Sequence, residues 1–141
     1  MFVKQVSVFL ENKKGRLEQV LDTLKNENIN IVSLSLADTS DYGLLRMIVA
    51  DPEQAKTTLK EKGFSASLTP VLAVRVANQA GQLQKILAEL FKAGINVEYM
   101  YALATSGDDA AIVIKTADLE VAEEVLRKMG ADLETSDLIR R

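Results

Sequence analysis

The chain has 141 residues, a formal net charge of −3 and neither cysteine nor histidine. This composition excludes disulfides and thiol nucleophiles, and it removes the histidine bases and usual zinc ligands of many enzymes. We therefore expect no enzyme activity, no cofactor and no metal. The acidic balance argues against a nucleic-acid partner, and no segment approaches the ~18 apolar residues that span a membrane. No signal-peptide pattern precedes the first predicted strand, so we expect a cytoplasmic protein.

The first half of the chain alternates between strand and helix patterns. Apolar and polar residues alternate at the start, which predicts a strand, and apolar residues with helical spacing begin at Arg16. Asp51 and Pro52 are typical of the N-cap and the first position of a helix. In chain order, the predicted elements are a strand at 2–10, a helix from 16 that ends at 26–28, strands at 29–37 and 44–49, a helix from 51 to about 62, and a strand at 65–69.

The second half repeats this order, and Pro70 is the only break between the halves. Its predicted elements are a strand at 72–76, a helix at 81–93, strands at 96–104 and 110–115 joined by a turn at 106–109, a helix from about 118, and a strand at 131–135. Each half is thus βαββαβ, the ferredoxin-like arrangement. We predict an α+β protein of two such domains in tandem, residues 1–70 and 71–141, with antiparallel sheets packed side by side and helices on one face.

Individual residues also repeat, at a distance of 66 positions. The residues of the first copy are Asn12, Gly15, Leu17, Leu21, Leu24, Ile29 and Asn30, and those of the second are Asn78, Gly81, Leu83, Leu87, Leu90, Ile95 and Asn96. Two copies are too few for a solenoid, which usually needs three or more repeats to bury a core. The repeat therefore supports two tandem domains of one small fold.

The turn Asn-x-x-Gly-x-Leu, present in both copies, is the candidate site. A glycine placed where a strand passes into a helix permits a tight turn, and the helix N-terminus then offers free amides to an anion such as a carboxylate. Asn12 and Asn78 add a side-chain carbonyl that can accept from an ammonium group. Asn30 and Asn96, at the start of the following strand, are predicted to close the other side. These groups together suit a free amino acid.

Two segments resemble the signature of ACT domains, the small amino-acid-binding regulatory modules. They are Glu11-Asn12-Lys13-Lys14-Gly15-Arg16-Leu17 followed by Ile29-Asn30-Ile31, and Asn78-Gln79-Ala80-Gly81-Gln82-Leu83 followed by Gly94-Ile95-Asn96-Val97. The resemblance covers nearly the whole chain and implies two ACT domains in tandem. ACT domains usually carry proline before the glycine, whereas this chain has Lys14 and Ala80 there. Since proline fixes the φ angle, the backbone of the turn is less restricted in this chain.

The resemblance also implies where a ligand would bind. In ACT domains the pocket lies at the interface of two units, between the strand-to-helix turn of one and the second strand of its neighbour. The residues implicated in this way are Leu10, Glu11, Asn12, Lys14, Gly15, Arg16, Leu17 and Asn30 in the first copy, and Val76, Asn78, Ala80, Gly81, Gln82, Leu83 and Asn96 in the second. The first turn is basic and the second is neutral. Either the first turn binds a more anionic ligand than the second, or its basic side chains simply belong to a solvated loop.

We therefore expect a stand-alone regulatory or sensory protein that binds a free L-amino acid at ACT–ACT interfaces. The expected partners are a second copy of the chain, forming a homodimer, and a metabolic enzyme or regulator, with no nucleic acid and no membrane. The alternative is a dimerisation or scaffolding module that takes no metabolite. An RNA-binding domain of the same βαββαβ order is rejected because the central strands lack its aromatic residues.

Overall fold

The computed structural model describes residues 2–38, 41–77, 79–103 and 110–134. These residues form two compact units. The N-terminal unit comprises residues 4–69, and the C-terminal unit comprises residues 2–3 together with 70–134. None of the helices in these ranges is long and apolar enough to cross a membrane.

The N-terminal unit has the predicted βαββαβ order. Its elements are β1 (Val3–Glu11), α1 (Arg16–Asn26), β2 (Ile31–Asp38), β3 (Tyr42–Val49), α2 (Pro52–Glu61) and the first part of β4 (Ser65–Val76). The strand order is β2-β3-β1-β4, and β3 pairs antiparallel with both β1 and β2. This order is the one expected of a ferredoxin-like sheet.

The C-terminal unit repeats that architecture. It contains the second part of β4, followed by α3 (Gln82–Lys92), β5 (Val97–Leu103), β6 (Ala110–Thr116), α4 (Leu119–Lys128) and β7 (Asp132–Leu133). The strand order is β5-β6-β4, and β7 also pairs with β4; all of these pairings are antiparallel. The predicted pair of ferredoxin-like folds is confirmed.

Each unit has its own hydrophobic core between the sheet and two helices. In the N-terminal unit, alternate residues of β1 and β3 face α1 and α2, and the buried side chains include Val6, Val8, Leu10, Val20, Leu24, Leu45, Met47, Ala55 and Leu59. The corresponding set in the C-terminal unit includes Leu72, Val74, Val76, Ile86, Leu90, Ile114, Ala122 and Leu126. Since both helices of a unit share one core with one set of strand residues, they lie on the same face of its sheet, as predicted.

The helices begin in two different ways. The Asp51 carboxylate accepts a hydrogen bond from the Gln54 N–H at 3.2 Å, and the Asp118 carboxylate accepts one from the Val121 N–H at 3.2 Å. The predicted N-cap at Asp51 is thus confirmed, and α4 uses the same device. Helices α1 and α3 instead begin after a glycine and have no side-chain cap. Among the described residues, their first amides therefore meet no side-chain cap.

One prediction about the strands is wrong. The strands predicted at 65–69 and 72–76 are a single strand, β4, which continues through Pro70. Proline has no N–H to donate, and it is tolerated in a strand where the ladder does not need that donor. Other element boundaries within the described residues agree with the prediction or differ from it by one or two residues. The predicted turn at 106–109 lies outside the described residues.

Candidate functional site

The first strand-to-helix turn is closed by backbone hydrogen bonds. The Lys13 N–H donates to the Glu11 carbonyl at 2.8 Å, and the Arg16 N–H donates to the Lys13 carbonyl at 3.3 Å. The first helical bond follows, from the Gln19 N–H to the Gly15 carbonyl at 3.0 Å. The chain therefore turns from β1 into α1 within four residues.

The second turn repeats this pattern bond for bond. The Gln79 N–H donates to the Ala77 carbonyl at 2.8 Å, the Gln82 N–H to the Gln79 carbonyl at 3.3 Å, and the Lys85 N–H to the Gly81 carbonyl at 3.1 Å. Although the side chains differ from those of the first turn, the backbone is the same. The sequence repeat thus corresponds to a repeat of backbone conformation.

Glycine is required in both turns by the backbone angle. Gly15 has φ 83° and Gly81 has φ 87°, both with ψ −6°, which is the left-handed region. A Cβ atom built on either residue would meet nothing within 4 Å, so the restriction comes from the backbone angle and not from crowding. This conformation accounts for the two glycines whether or not a ligand binds.

The two turns present unpaired amides at helix N-termini. Within the described residues, the N–H groups of Leu17 and Glu18 in α1, and those of Leu83 and Gln84 in α3, meet no acceptor. Such amides are the normal orphan donors of a helix start, and the helix dipole adds partial positive charge there. A carboxylate placed against either turn would satisfy these donors.

The charged side chains of the first turn are already engaged. The Lys13 ammonium lies 2.8 Å from the Glu11 carboxylate. The hydrogen bond from Lys13, and secondly its charge, lower the pKa of Glu11 below its ordinary value. The Arg16 guanidinium lies over the ring of Phe64, 4.5 Å from its centroid. Among the described residues, neither Lys14 nor Arg16 forms an ion pair, and Arg16 donates a hydrogen bond to Gln19 instead. Glu11, Lys13 and Arg16 thus have partners within the N-terminal unit, and these contacts do not decide between a site for an anionic ligand and a solvated loop.

The remaining turn residues have different roles. Asn12 is exposed, and its N–H donates to the Asp41 carbonyl at 3.2 Å, which ties the turn to the start of β3. Asn78 lies outside the described residues. Leu10 and Val76 place their side chains in the two cores, so only their backbone can face a ligand in the turn. The side chains of Leu17 and Leu83 are partly buried and also pack against the cores.

Asn30 does not lie beside the first turn. The turn follows Glu11, which pairs with Tyr42 at one end of β3, whereas Ile31 pairs with Val49 at the other end. The strand between those two pairs spans about 23 Å at ~3.3 Å per residue. The prediction that Asn30 closes the other side of the same turn is therefore wrong within one unit. Asn30 remains a candidate only for the second-strand position that the ACT resemblance implies.

Asn96 is separated from the second turn in the same way. Val76, just before that turn, pairs with Ala110 at one end of β6, and Val97 pairs with Thr116 at the other end. The distance along β6 is about 20 Å at ~3.3 Å per residue. Because the helix returns the chain to the opposite end of the sheet, the Ile-Asn step and the glycine turn cannot meet within a unit.

Sequence reasoning missed Phe64 and Asp41. Phe64 is buried and contacts Arg16, and the carbonyl of Asp41 accepts from the Asn12 N–H. Neither residue belongs to the repeated motif, and both are distant from it along the chain. No local spacing pattern could have pointed to these contacts, because they depend on the tertiary fold.

The fold and the glycine turns define a pair of ferredoxin-like units with matching strand-to-helix turns, an arrangement typical of small regulatory domains. The sequence profile of the family described as "ACT domain pair" matches residues 1–139. The chain therefore belongs to the ACT domain family, and it does so as a pair. Domains of this family are regulatory and typically bind amino acids.

Solved structures give the same result for the fold. A protein from Bacteroides thetaiotaomicron is 38% identical, with a TM-score of 0.93, over 100% of this chain and 97% of that protein. The regulatory subunit of aspartate kinase from Thermus thermophilus is 19% identical, with a TM-score of 0.64, over 90% of this chain and 89% of that chain. The corresponding subunit from Thermus flavus is 20% identical, with a TM-score of 0.63, over 90% of each chain. The two Thermus proteins show a shared fold only. No curated protein sequence matches the chain.

Proposed function

We propose that this chain is a stand-alone regulatory protein that binds a free L-amino acid through its strand-to-helix turns and has no catalytic activity of its own. The observation that carries the proposal is the pair of turns with the same backbone hydrogen bonds, each with two helix amides that meet no acceptor in the part of the chain that the structure describes. Family membership supports the class of ligand, since ACT domains typically bind amino acids.

The chemistry of the turn suits the part that all amino acids share. The ligand's α-carboxylate accepts from the amides of Leu17 and Glu18, where the helix dipole favours negative charge. The side-chain carbonyl of Asn12, in the same turn, accepts from the ligand's ammonium group. Binding regulates a partner, a metabolic enzyme or a regulator, only if the ligand has different affinities for two states of the assembly.

The proposal is tested by thermal unfolding in the presence of each free L-amino acid. A ligand at ~100 times its dissociation constant stabilises the folded state by about 2.7 kcal/mol. For a protein of this size, the midpoint should rise by several degrees. We expect one amino acid, or one chemically related group, to raise the midpoint.

Matched ligands and variants make this test specific. The D-enantiomer of the active amino acid should have a smaller effect, and Asn12→Ala should reduce the shift. Lys60→Gln, which changes an exposed residue of α2 that belongs to neither turn, should leave the shift unchanged. If no amino acid shifts the midpoint at millimolar concentration, the proposal is wrong.

Exposed apolar side chains favour a second candidate function, a dimerisation or scaffolding module. Leu34 and Leu36 on β2, the outermost strand in the strand order of the N-terminal unit, are 45% and 46% exposed. Phe91 on α3 is 81% exposed. Apolar surface next to an outer strand is typical of a site that pairs with another chain. A stable assembly that shows no response to any amino acid would support this alternative.

A further inference from the structure

A groove of about 260 Å³ lies on the N-terminal unit, and neither Leu17 nor Glu18 is among its lining residues. One wall is the face of α1 that carries Arg16, Gln19 and Thr23, and the other is formed by Lys62 and Phe64, which follow α2. Every lining residue belongs to the N-terminal unit. The groove is therefore complete within one unit.

The guanidinium of Arg16 is fixed in this groove. It lies over the Phe64 ring at 4.5 Å from the centroid, a cation–π contact, and its Nη1 donates to the Gln19 Oε1 at 2.9 Å. Phe64 is 7% exposed, so the ring is itself held by the core. Two contacts on different sides of the guanidinium thus restrict its orientation before any ligand arrives.

One edge of this guanidinium has no hydrogen-bond acceptor among the described residues. The Nε atom of Arg16 is buried and meets no acceptor among the described residues. Nη2, on the same edge of the group, also has no acceptor there. A buried donor without an acceptor costs free energy, since it has lost its water and gained no hydrogen bond. An acceptor brought by a ligand would remove that cost.

We infer that this groove binds a small carboxylate, which the free Nε–Nη2 edge of Arg16 holds through a forked pair of hydrogen bonds. The two parallel N–H groups of an arginine match the two oxygens of a carboxylate. The ammonium of Lys62 adds positive charge at the groove. Asp22, the acidic residue in the lining, already lies 3.6 Å from the Lys25 ammonium and accepts from the Asn26 amide at 3.4 Å, which offsets its repulsion.

The C-terminal unit lacks this arrangement although its backbone is equivalent. Ala131 follows Gly130 and α4 as Phe64 follows Gly63 and α2. Each of the two residues donates its N–H to the carbonyl five residues back, Ala131 to Leu126 at 2.9 Å and Phe64 to Leu59 at 3.0 Å. Position 82 carries glutamine where the first copy has Arg16. The carboxylate groove is accordingly a property of the N-terminal unit.

Nuclear magnetic resonance tests this inference directly, because the side-chain Nε–H of an arginine gives its own signal. The Arg16 signal is the one that disappears in Arg16→Lys. At constant ionic strength, sodium acetate should shift it in a saturable way, and sodium chloride should not. Arg16→Lys keeps the positive charge but removes the two parallel N–H donors. The affinity for acetate should therefore fall about tenfold, and the backbone amide signal of Thr23 measures it.

The control variant is Lys60→Gln, which removes a positive charge from α2 outside the groove and should leave the affinity unchanged. A response to sodium phosphate but not to acetate would overturn the assignment to a carboxylate. An acetate shift equal to that of chloride would overturn the site itself. The inference does not rest on the proposed function. Acetate bound at the turns would shift the signals of the Leu17 and Glu18 backbone amides, whereas acetate bound in the groove would shift the Nε–H signal of Arg16.

Discussion

Replacing Leu24 by alanine is expected to lower the free energy of unfolding by about 2–5 kcal/mol, the usual cost of a large-to-small change in a core. Leu24 is 1% exposed and lies between α1 and the sheet of the N-terminal unit. The alanine variant leaves a cavity that the surrounding side chains fill only in part. Because a whole domain is stable by only about 5–15 kcal/mol, this loss is large. Urea unfolding followed by circular dichroism measures it.

The repeat supplies a matched pair for this experiment. Leu90 occupies the same position in α3 and is fully buried, so Leu90→Ala should cost a similar amount. Its neighbour Phe91 is larger but 81% exposed, and Phe91→Ala should change the free energy of unfolding by no more than about 0.5 kcal/mol. If Phe91→Ala costs as much as Leu90→Ala, the orientation described for α3 is contradicted.

Replacing Gly15 by alanine is expected to cost about 1–2 kcal/mol, because an L-residue with a side chain is strained in the left-handed region. The φ of Gly15 is 83°, and its surroundings are open, so the cost comes from the backbone and not from a clash. If the strained turn relaxes to another conformation, the amides of Leu17 and Glu18 move, and amino-acid binding should weaken as well.

Asparagine separates the two effects at this position. Gly15→Asn should be better tolerated than Gly15→Ala, because asparagine adopts left-handed angles more readily. Gly81, with φ 87°, should show the same order of stabilities. Equal stability of Gly15→Ala and the wild-type protein, measured by urea unfolding, would show that the turn does not hold this angle in solution.

The architecture of each unit could be predicted from the sequence because the signals were local. The spacing of Leu17, Val20, Leu21 and Leu24 is helical, and the alternation in β1 and β3 defines one buried face. Because of the 66-residue repeat, the same pattern predicted each element at two positions of the chain. The glycine positions also carried a specific prediction, a tight turn before a helix, which the φ angles of Gly15 and Gly81 confirm.

Pro70 shows where a local signal failed. Proline often ends a strand, but the consequence depends on whether a neighbouring strand needs the missing donor, and that is a property of the assembled sheet. The sequence alone does not show whether a neighbouring strand needs that donor. β4 therefore continues through the proline, against the prediction.

The error at Asn30 could have been avoided. Helix α1 has 11 residues and spans about 16 Å at ~1.5 Å per residue, so it returns the chain to the far end of the sheet before Asn30. Adjacency in the motif was mistaken for adjacency in space. The contact between Arg16 and Phe64, in contrast, joins elements that are far apart in the chain, and no spacing rule predicts it.

The binding of a free amino acid at the turns is tested most directly by mapping backbone amide shifts during a titration with the amino acid that raises the unfolding midpoint. The account predicts saturable shifts at residues 14–18, at 80–84, or at both, with one dissociation constant for all the amides of a given turn. Saturable shifts confined to other parts of the protein, or no saturable shift with any amino acid of the panel, would contradict it.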